Sequence, residues 1–197
     1  MTEPLFVQPG LAAAAFDLAA GAWCAFELAM TIRQRRLAPD SQARDRTAFF
    51  MLACSVGSVV VAAQLGSEGR LPWPGGAVWP IALGFALVAA GIGLRAWSIA
   101  SLGSLFQYRI EVQAEHRVVT DGPYRYVRHP SYSGMVLVLV GIALMSGDVE
   151  SLLAVAIIGG GGLAVRIRAE ERQLTGALGA EYERFAAQRK LLVPGVL

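Results

Sequence analysis

Between Gln113 and Tyr132 the sequence reads QAEHRVVTDGPYRYVRHPSY, and this segment holds both histidines of the chain, His116 and His129. It also holds Tyr124, Tyr126 and Tyr132, Arg117, Arg125 and Arg128, and two prolines. Tyr124 and Tyr132 offer flat faces that accept a heterocycle or a cation. Asp121, Gly122 and Pro123 form a turn signal, and Pro130 suits the first position of a helix. A helix starting there would aim unpaired backbone N–H groups and a partial positive charge at a bound carboxylate or phosphate. His129 and Ser131, on either side of Pro130, would add side-chain hydrogen bonds. The same residues also make a basic membrane anchor ahead of a proline-started helix. Apolar runs flank the segment, and non-helical backbone at a membrane must be satisfied by protein or water, so the segment is expected to line a site.

A second cluster lies downstream. Arg166 and Glu170 are four residues apart and share a helix face, with Glu171 next to them. One reading is an ordinary surface ion pair. The other is an acid and a guanidinium facing the tyrosine- and histidine-rich segment, able to hold a ligand that carries an amine and a carboxylate.

These residues must be positioned by membrane spans. The chain has 197 residues, of which 55% are apolar and 16% charged, and its mean hydropathy is +0.50. A soluble domain would carry about 25% charged residues. The net charge of +2 and the lack of basic clusters interleaved with aromatics argue against nucleic acid. Cys24 and Cys54 sit in apolar runs without CxxC spacing and read as small hydrophobes, and no metal site is expected.

Five crossings are expected, at Leu11–Ile32, Thr47–Leu65, Ala77–Leu102, Ser131–Met145 and Leu152–Val165. The start of the chain lacks the basic region of a signal peptide, so the first run should remain a span. Asp17 and Glu27 in that span are expected near headgroup level, an interior role being the alternative. Arg95 is expected to snorkel to the headgroups rather than meet a ligand. Gly159 to Gly162 imply close packing, the fourth span being the expected neighbour. Beyond Arg166 the helical pattern continues to about Gln188 as an amphipathic helix, with Leu174, Leu178, Tyr182 and Phe185 on one stripe, and LLVPGVL is expected at the interface. Arg33, Arg35, Arg36, Arg44 and Arg46 after the first span place that loop in the cytoplasm, the N-terminus outside and the C-terminus inside. The chain reads as one all-α membrane domain, with two N-terminal spans in residues 1–76 and the core in residues 77–197.

The motifs HRVVTDGPYRYVRHPSYSG, from His116 to Gly134, and RIRAEERQLTGALGAEYERF, from Arg166 to Phe185, followed by LLVPGV, resemble the isoprenylcysteine carboxyl methyltransferases and the related phospholipid N-methyltransferases. The resemblance covers about Arg95 to the end. It implies S-adenosylmethionine as cofactor, held by Gln113, His116, Arg117, Val118, Val119, Tyr124, His129, Pro130, Ser131, Tyr132 and Glu170. It also implies that Arg166 engages the substrate carboxylate. The membrane would be a bacterial inner membrane or the endoplasmic reticulum, and the acceptor a prenylated or otherwise amphiphilic acid entering sideways between spans. Transfer to an amine, and a non-catalytic binding module, are the alternatives.

Overall fold

The computed structural model describes residues 9–37, 46–74, 78–103 and 118–193, and among these the secondary structure is helical, with two isolated bridges. The helices are α1 (Pro9–Leu37), α2 (Arg46–Glu68), α3 (Val78–Leu102), α4 (Pro130–Met145), α5 (Val149–Ala154), α6 (Gly160–Leu178) and α7 (Ala180–Gln188). A 3-10 turn, Gly122–Arg125, precedes α4, and a π turn, Val155–Gly159, joins α5 to α6. Four helices are long and apolar enough to cross a membrane: Ala13–Arg33, Arg46–Glu68, Val78–Leu102 and the continuous Val149–Leu178. Outward-facing Leu18, Leu28, Phe49, Leu83 and Ile157 are exposed, as a lipid-facing surface requires.

The helix α4 differs from these four. Its 16 residues span about 24 Å at 1.5 Å per residue, and most of them, from Pro130 to Met145, are buried. A helix surrounded by others needs no lipid-matched length. Its tightest neighbour is α3, and the contact runs through two reciprocal glycine pairs. A Cβ on Gly91 would lie 2.5 Å from the Gly134 carbonyl oxygen, and one on Gly134 would lie 2.6 Å from that of Gly91. Gly84 and Gly141 repeat the arrangement one heptad away, at 2.7 Å each way. Small residues let membrane helices approach to backbone contact, where dispersion replaces the missing hydrophobic drive. Gly91→Ala is therefore expected to lower stability by about 1–3 kcal/mol by overpacking. Gly93→Ala, whose Cβ would meet nothing within 4 Å, should leave the melting temperature in detergent nearly unchanged.

At the end of the bundle away from the motifs, the two connections hold each other. The Asp148 carboxylate is fully buried and accepts from Leu71 N at 2.7 Å and Glu150 N at 2.6 Å, which caps α5. Trp73 Nε1 donates to the Leu144 carbonyl at 3.0 Å.

Three expectations are corrected. The close partner of the glycine run is chiefly α2, with the expected α4 second: a Cβ on Gly162 would lie 2.5 Å from Cys54 Cβ, and one on Gly159 would lie 3.1 Å from Ser58 Oγ and 3.2 Å from Leu139 Cδ1 of α4, while Gly160 and Gly161 meet nothing. The stretch after Arg166 is two helices, because Gly179 takes a positive φ of 53°, which glycine adopts without strain, and turns the chain so that Tyr182 and Phe185 pack inward. Glu27 and Arg95 do not turn outward as snorkelling charges; they are 7% and 1% exposed and pair with each other inside the bundle. The segment after α7 also docks on the turn before α4, a contact the sequence did not indicate: Arg128 N donates to Lys190 O at 2.9 Å, His129 N to Leu191 O at 3.1 Å and Ser133 Oγ to Leu192 O at 2.6 Å.

Candidate active site

The start of α4, the exit of α6, α7 and the start of α2 meet at one end of the bundle. The 3-10 turn reaches that end because Gly122, with φ of 57°, lies against α3, where a Cβ would come 2.4 Å from Ser101 Oγ. This turn buries Tyr124. Burial, and then the Glu170 charge, push its phenol well above the usual tyrosine range, so it stays protonated and able to donate.

Pro130 is the first residue of α4, and His129 is its cap residue, although the imidazole makes no capping bond. That ring is buried and turns instead to α6, where Nε2 lies 2.6 Å from Glu171 Oε1. The Glu171 carboxylate also accepts from Arg128 Nη1 and from the Tyr182 hydroxyl. Glu171 thus joins the turn before α4 to α6 and α7. Burial, reinforced by the hydrogen bond to Glu171, keeps Tyr182 protonated.

Glu170 builds a parallel chain. The Tyr132 hydroxyl donates to Glu170 Oε2 at 2.5 Å and accepts from Arg166 Nε at 3.0 Å. Arg166 is 2% exposed and also donates from Nη1 to Thr47 Oγ1 of α2 at 2.8 Å. The second oxygen of Glu170 has no hydrogen bond among the described residues; His129 Nδ1 is 3.9 Å away. The imidazole and the Tyr132 ring stack with centroids 5.6 Å apart.

The expected site residues sort cleanly by place. Tyr124, His129, Pro130, Ser131, Tyr132, Arg166 and Glu170 gather at this end. Val118 and Val119 are half-buried, and Val118 N approaches Glu181 Oε1 of α7 at 3.3 Å. Gln113, His116 and Arg117 lie outside the described residues. The helix start is less open than expected, since Tyr132 N and Ser133 N both donate to His129 O. Among the described residues, only the Ser131 amide of that turn keeps no hydrogen bond.

Sequence reasoning missed several members of this cluster. Glu171, not Glu170, is the partner of His129, and Thr47 gave no signal at all at the first turn of an apolar helix. Glu27 and Arg95 did carry one: an acid and a base within two apolar runs, each too costly to leave alone in a membrane interior. They form a two-pronged pair, Arg95 Nε to Oε1 at 2.6 Å and Nη2 to Oε2 at 2.8 Å, while Arg95 Nη1 donates to Ser131 Oγ at 2.8 Å.

Fold and site together define a multi-pass helical membrane protein with a buried acid, base and tyrosine network at one end of the bundle. Residues 82–176 match the model of the isoprenylcysteine carboxyl methyltransferase (ICMT) family. The matched stretch is just under half of this chain. It is 33% identical over 120 residues to protein-S-isoprenylcysteine O-methyltransferase B of Arabidopsis thaliana, covering 60% of this chain and 61% of that one. It is 32% identical over 117 residues to the protein-S-isoprenylcysteine O-methyltransferase of Schizosaccharomyces pombe, covering 58% and 48%. Bacillus subtilis YpbQ, an uncharacterized protein, is 32% identical over 93 residues, covering 47% and 55%. The chain thus matches about half to three-fifths of the length of these relatives.

Proposed function

We propose that this protein is an integral membrane methyltransferase that uses S-adenosylmethionine to esterify the carboxylate of an isoprenylcysteine or a similar amphiphilic acid. The observation that carries the reading is the linked set Arg166, Tyr132 and Glu170, which puts a buried guanidinium and a half-exposed carboxylate on one tyrosine hydroxyl. In this reading the bundle crosses the membrane five times, α4 included, with the N-terminus outside. The site, α7 and the tail lie at the cytoplasmic surface of a bacterial inner membrane or the endoplasmic reticulum.

The residues present suit the cofactor. Glu170 has an oxygen to spare for an ammonium or sulfonium, Tyr124 and Tyr132 offer aromatic faces, and the Ser131 amide and the buried, unpartnered Nε of Arg128 suit a carboxylate. When bound, S-adenosylmethionine supplies a methyl group made electrophilic by its sulfonium. The chain's own task is to position the acceptor and keep water out. A carboxylate acceptor is ionised at neutral pH and needs no general base, but a hydrated one is a poor nucleophile. Arg166 would bind one of its oxygens by charge-assisted hydrogen bonds and leave the other free to react. Its bonds to Tyr132 and Thr47 would hold the guanidinium in a fixed plane.

A second reading, methylation of a lipid amine, draws on the close His129–Glu171 contact, since an amine must shed a proton. Incubation of the purified protein with labelled S-adenosylmethionine and prenylcysteine or phospholipid separates the two. The expected product is an ester hydrolysed by mild base, formed at a rate that does not climb with pH above neutrality. A base-stable methylamine would favour the second reading, and no methyl transfer or cofactor binding would leave a binding module.

A further inference from the structure

We propose that Glu27 of α1 is a positioning residue for the ligand-facing turn of α4, acting through Arg95 and Ser131; this rests on the reading that the turn meets S-adenosylmethionine. Glu27 lies well outside residues 82–176, as an acid in an apolar helix to which neither sequence motif assigns a part in the site. The geometry gives it one. Its carboxylate grips Arg95 Nε and Nη2 at 2.6 and 2.8 Å, which fixes the plane of the guanidinium and leaves Nη1 to reach Ser131 Oγ at 2.8 Å and Ser131 O at 3.4 Å.

Helix association does not require this arrangement. The reciprocal glycine pairs already hold α3 to α4, and a buried ion pair is often replaceable by apolar residues of similar volume without loss of stability, because both charges must be desolvated. What the pair adds is the third arm. A serine hydroxyl has one proton and two lone pairs. With Arg95 donating to one lone pair, the Ser131 proton is turned away from Arg95 and is committed to an acceptor elsewhere. Ser131 is then a donor beside its own amide, which has no hydrogen bond among the described residues, and the two together suit an anionic group such as the carboxylate of the methyl donor. Arg95 can do this only if its own charge is balanced and its plane held, and Glu27 does both.

The test uses the full chain in detergent micelles with four variants: Glu27→Gln, Arg95→Lys, the swapped pair Glu27→Arg with Arg95→Glu, and Asp17→Ala as a control on the exposed face of the same helix. In Glu27→Gln and Arg95→Lys the KM for S-adenosylmethionine should rise roughly tenfold, the size of one hydrogen bond to a charged group, while the KM for the lipid acceptor holds. Exchange of the backbone amides of residues 129–133 in the ligand-free protein should quicken in the same two variants and stay unchanged in Asp17→Ala. The swapped pair separates positioning from mere packing: it restores the ion pair, and with it the melting temperature, but a glutamate at position 95 cannot donate to Ser131, so the donor KM should stay high. Unchanged donor KM and exchange in Glu27→Gln, or full recovery of the donor KM in the swapped pair, would overturn the proposal. If Glu27→Gln fails to fold, the swapped pair decides. Should the unaltered protein transfer no methyl group, the functional reading fails, and amide exchange alone supports or overturns the coupling of Glu27 to the α4 turn.

Discussion

Arg166→Ala is expected to lower kcat/KM by about 10³-fold, in the range found when a donor aimed at a reacting oxygen is removed. The residue is almost fully buried, and alanine would take away both the proposed contact to the acceptor carboxylate and the donors to Tyr132 and Thr47. Arg166→Lys should rescue little, because an ammonium cannot present the planar fork that serves several oxygens at once. The family resemblance implies that Arg166 and Glu170 divide the work between acceptor and cofactor. The structure couples them, since Tyr132 OH accepts from one and donates to the other. Glu170→Ala is still expected to raise the cofactor Kd more than Arg166→Ala does, but Tyr132→Phe should raise both the cofactor Kd and the acceptor KM. Isothermal titration with S-adenosylhomocysteine, beside turnover, checks each term; equal cofactor affinity in Glu170→Ala and Arg166→Ala would contradict the assignment.

Glu171→Ala should be nearly as damaging, by another route. This carboxylate takes hydrogen bonds from Arg128, His129 and Tyr182, so its loss leaves a cation, an imidazole and a phenol without their acceptor. Its side chain is only 22% exposed, and removing a charged acceptor of this kind costs about 2 kcal/mol. The larger effect is geometric. With the link from the α4 turn to α6 and α7 cut, His129 and the docked tail lose their anchor. Small displacements in a preorganised site are expected to cost about 10²-fold in rate. Glu171→Gln keeps the shape without the charge and should fall between the two. The readouts are kcat/KM for methyl transfer and proteolysis of the C-terminal segment, which should become faster in Glu171→Ala. Wild-type turnover in that variant would remove Glu171 from the working site.

Several features were legible along the chain because they are local. Apolar runs long enough to cross a bilayer mark α1, α2 and α3 wherever they sit, whereas the run Leu152–Val165 is short for a crossing and the helix through α5 and α6 extends well beyond it. A proline at position 130 starts α4 for steric reasons that hold in any fold. The four-residue spacing of Arg166 and Glu170 places both on one face of α6 before any packing is known. The ordered motifs from His116 to Gly134 and from Arg166 to Phe185 indicated which chain segments converge, and Tyr132, His129, Arg166 and Glu170 do gather.

What packing alone decided is the partner of each polar group. Hydropathy reports that a residue lies in a span, but the rotation of that span about its axis determines whether a charge meets lipid, headgroup or another charge. Along the chain nothing near Arg95 can neutralise it, so snorkelling is the expectation; its partner is 68 positions away on α1. The adjacent acids Glu170 and Glu171 look equivalent on paper, yet about 100° of helical turn separates them, which gives one to Tyr132 and the other to His129, Arg128 and Tyr182. The glycine run likewise announced a close approach without naming the helix that makes it. Sequence by itself therefore determined which segments are apolar enough to enter a membrane and which residues have the chemistry to act, because both depend on short-range composition and spacing. Tertiary structure decided who pairs with whom, because that depends on the azimuth and depth of whole helices, set by the glycine contacts of α3 with α4 and of α6 with α2 rather than by any stretch of sequence read alone.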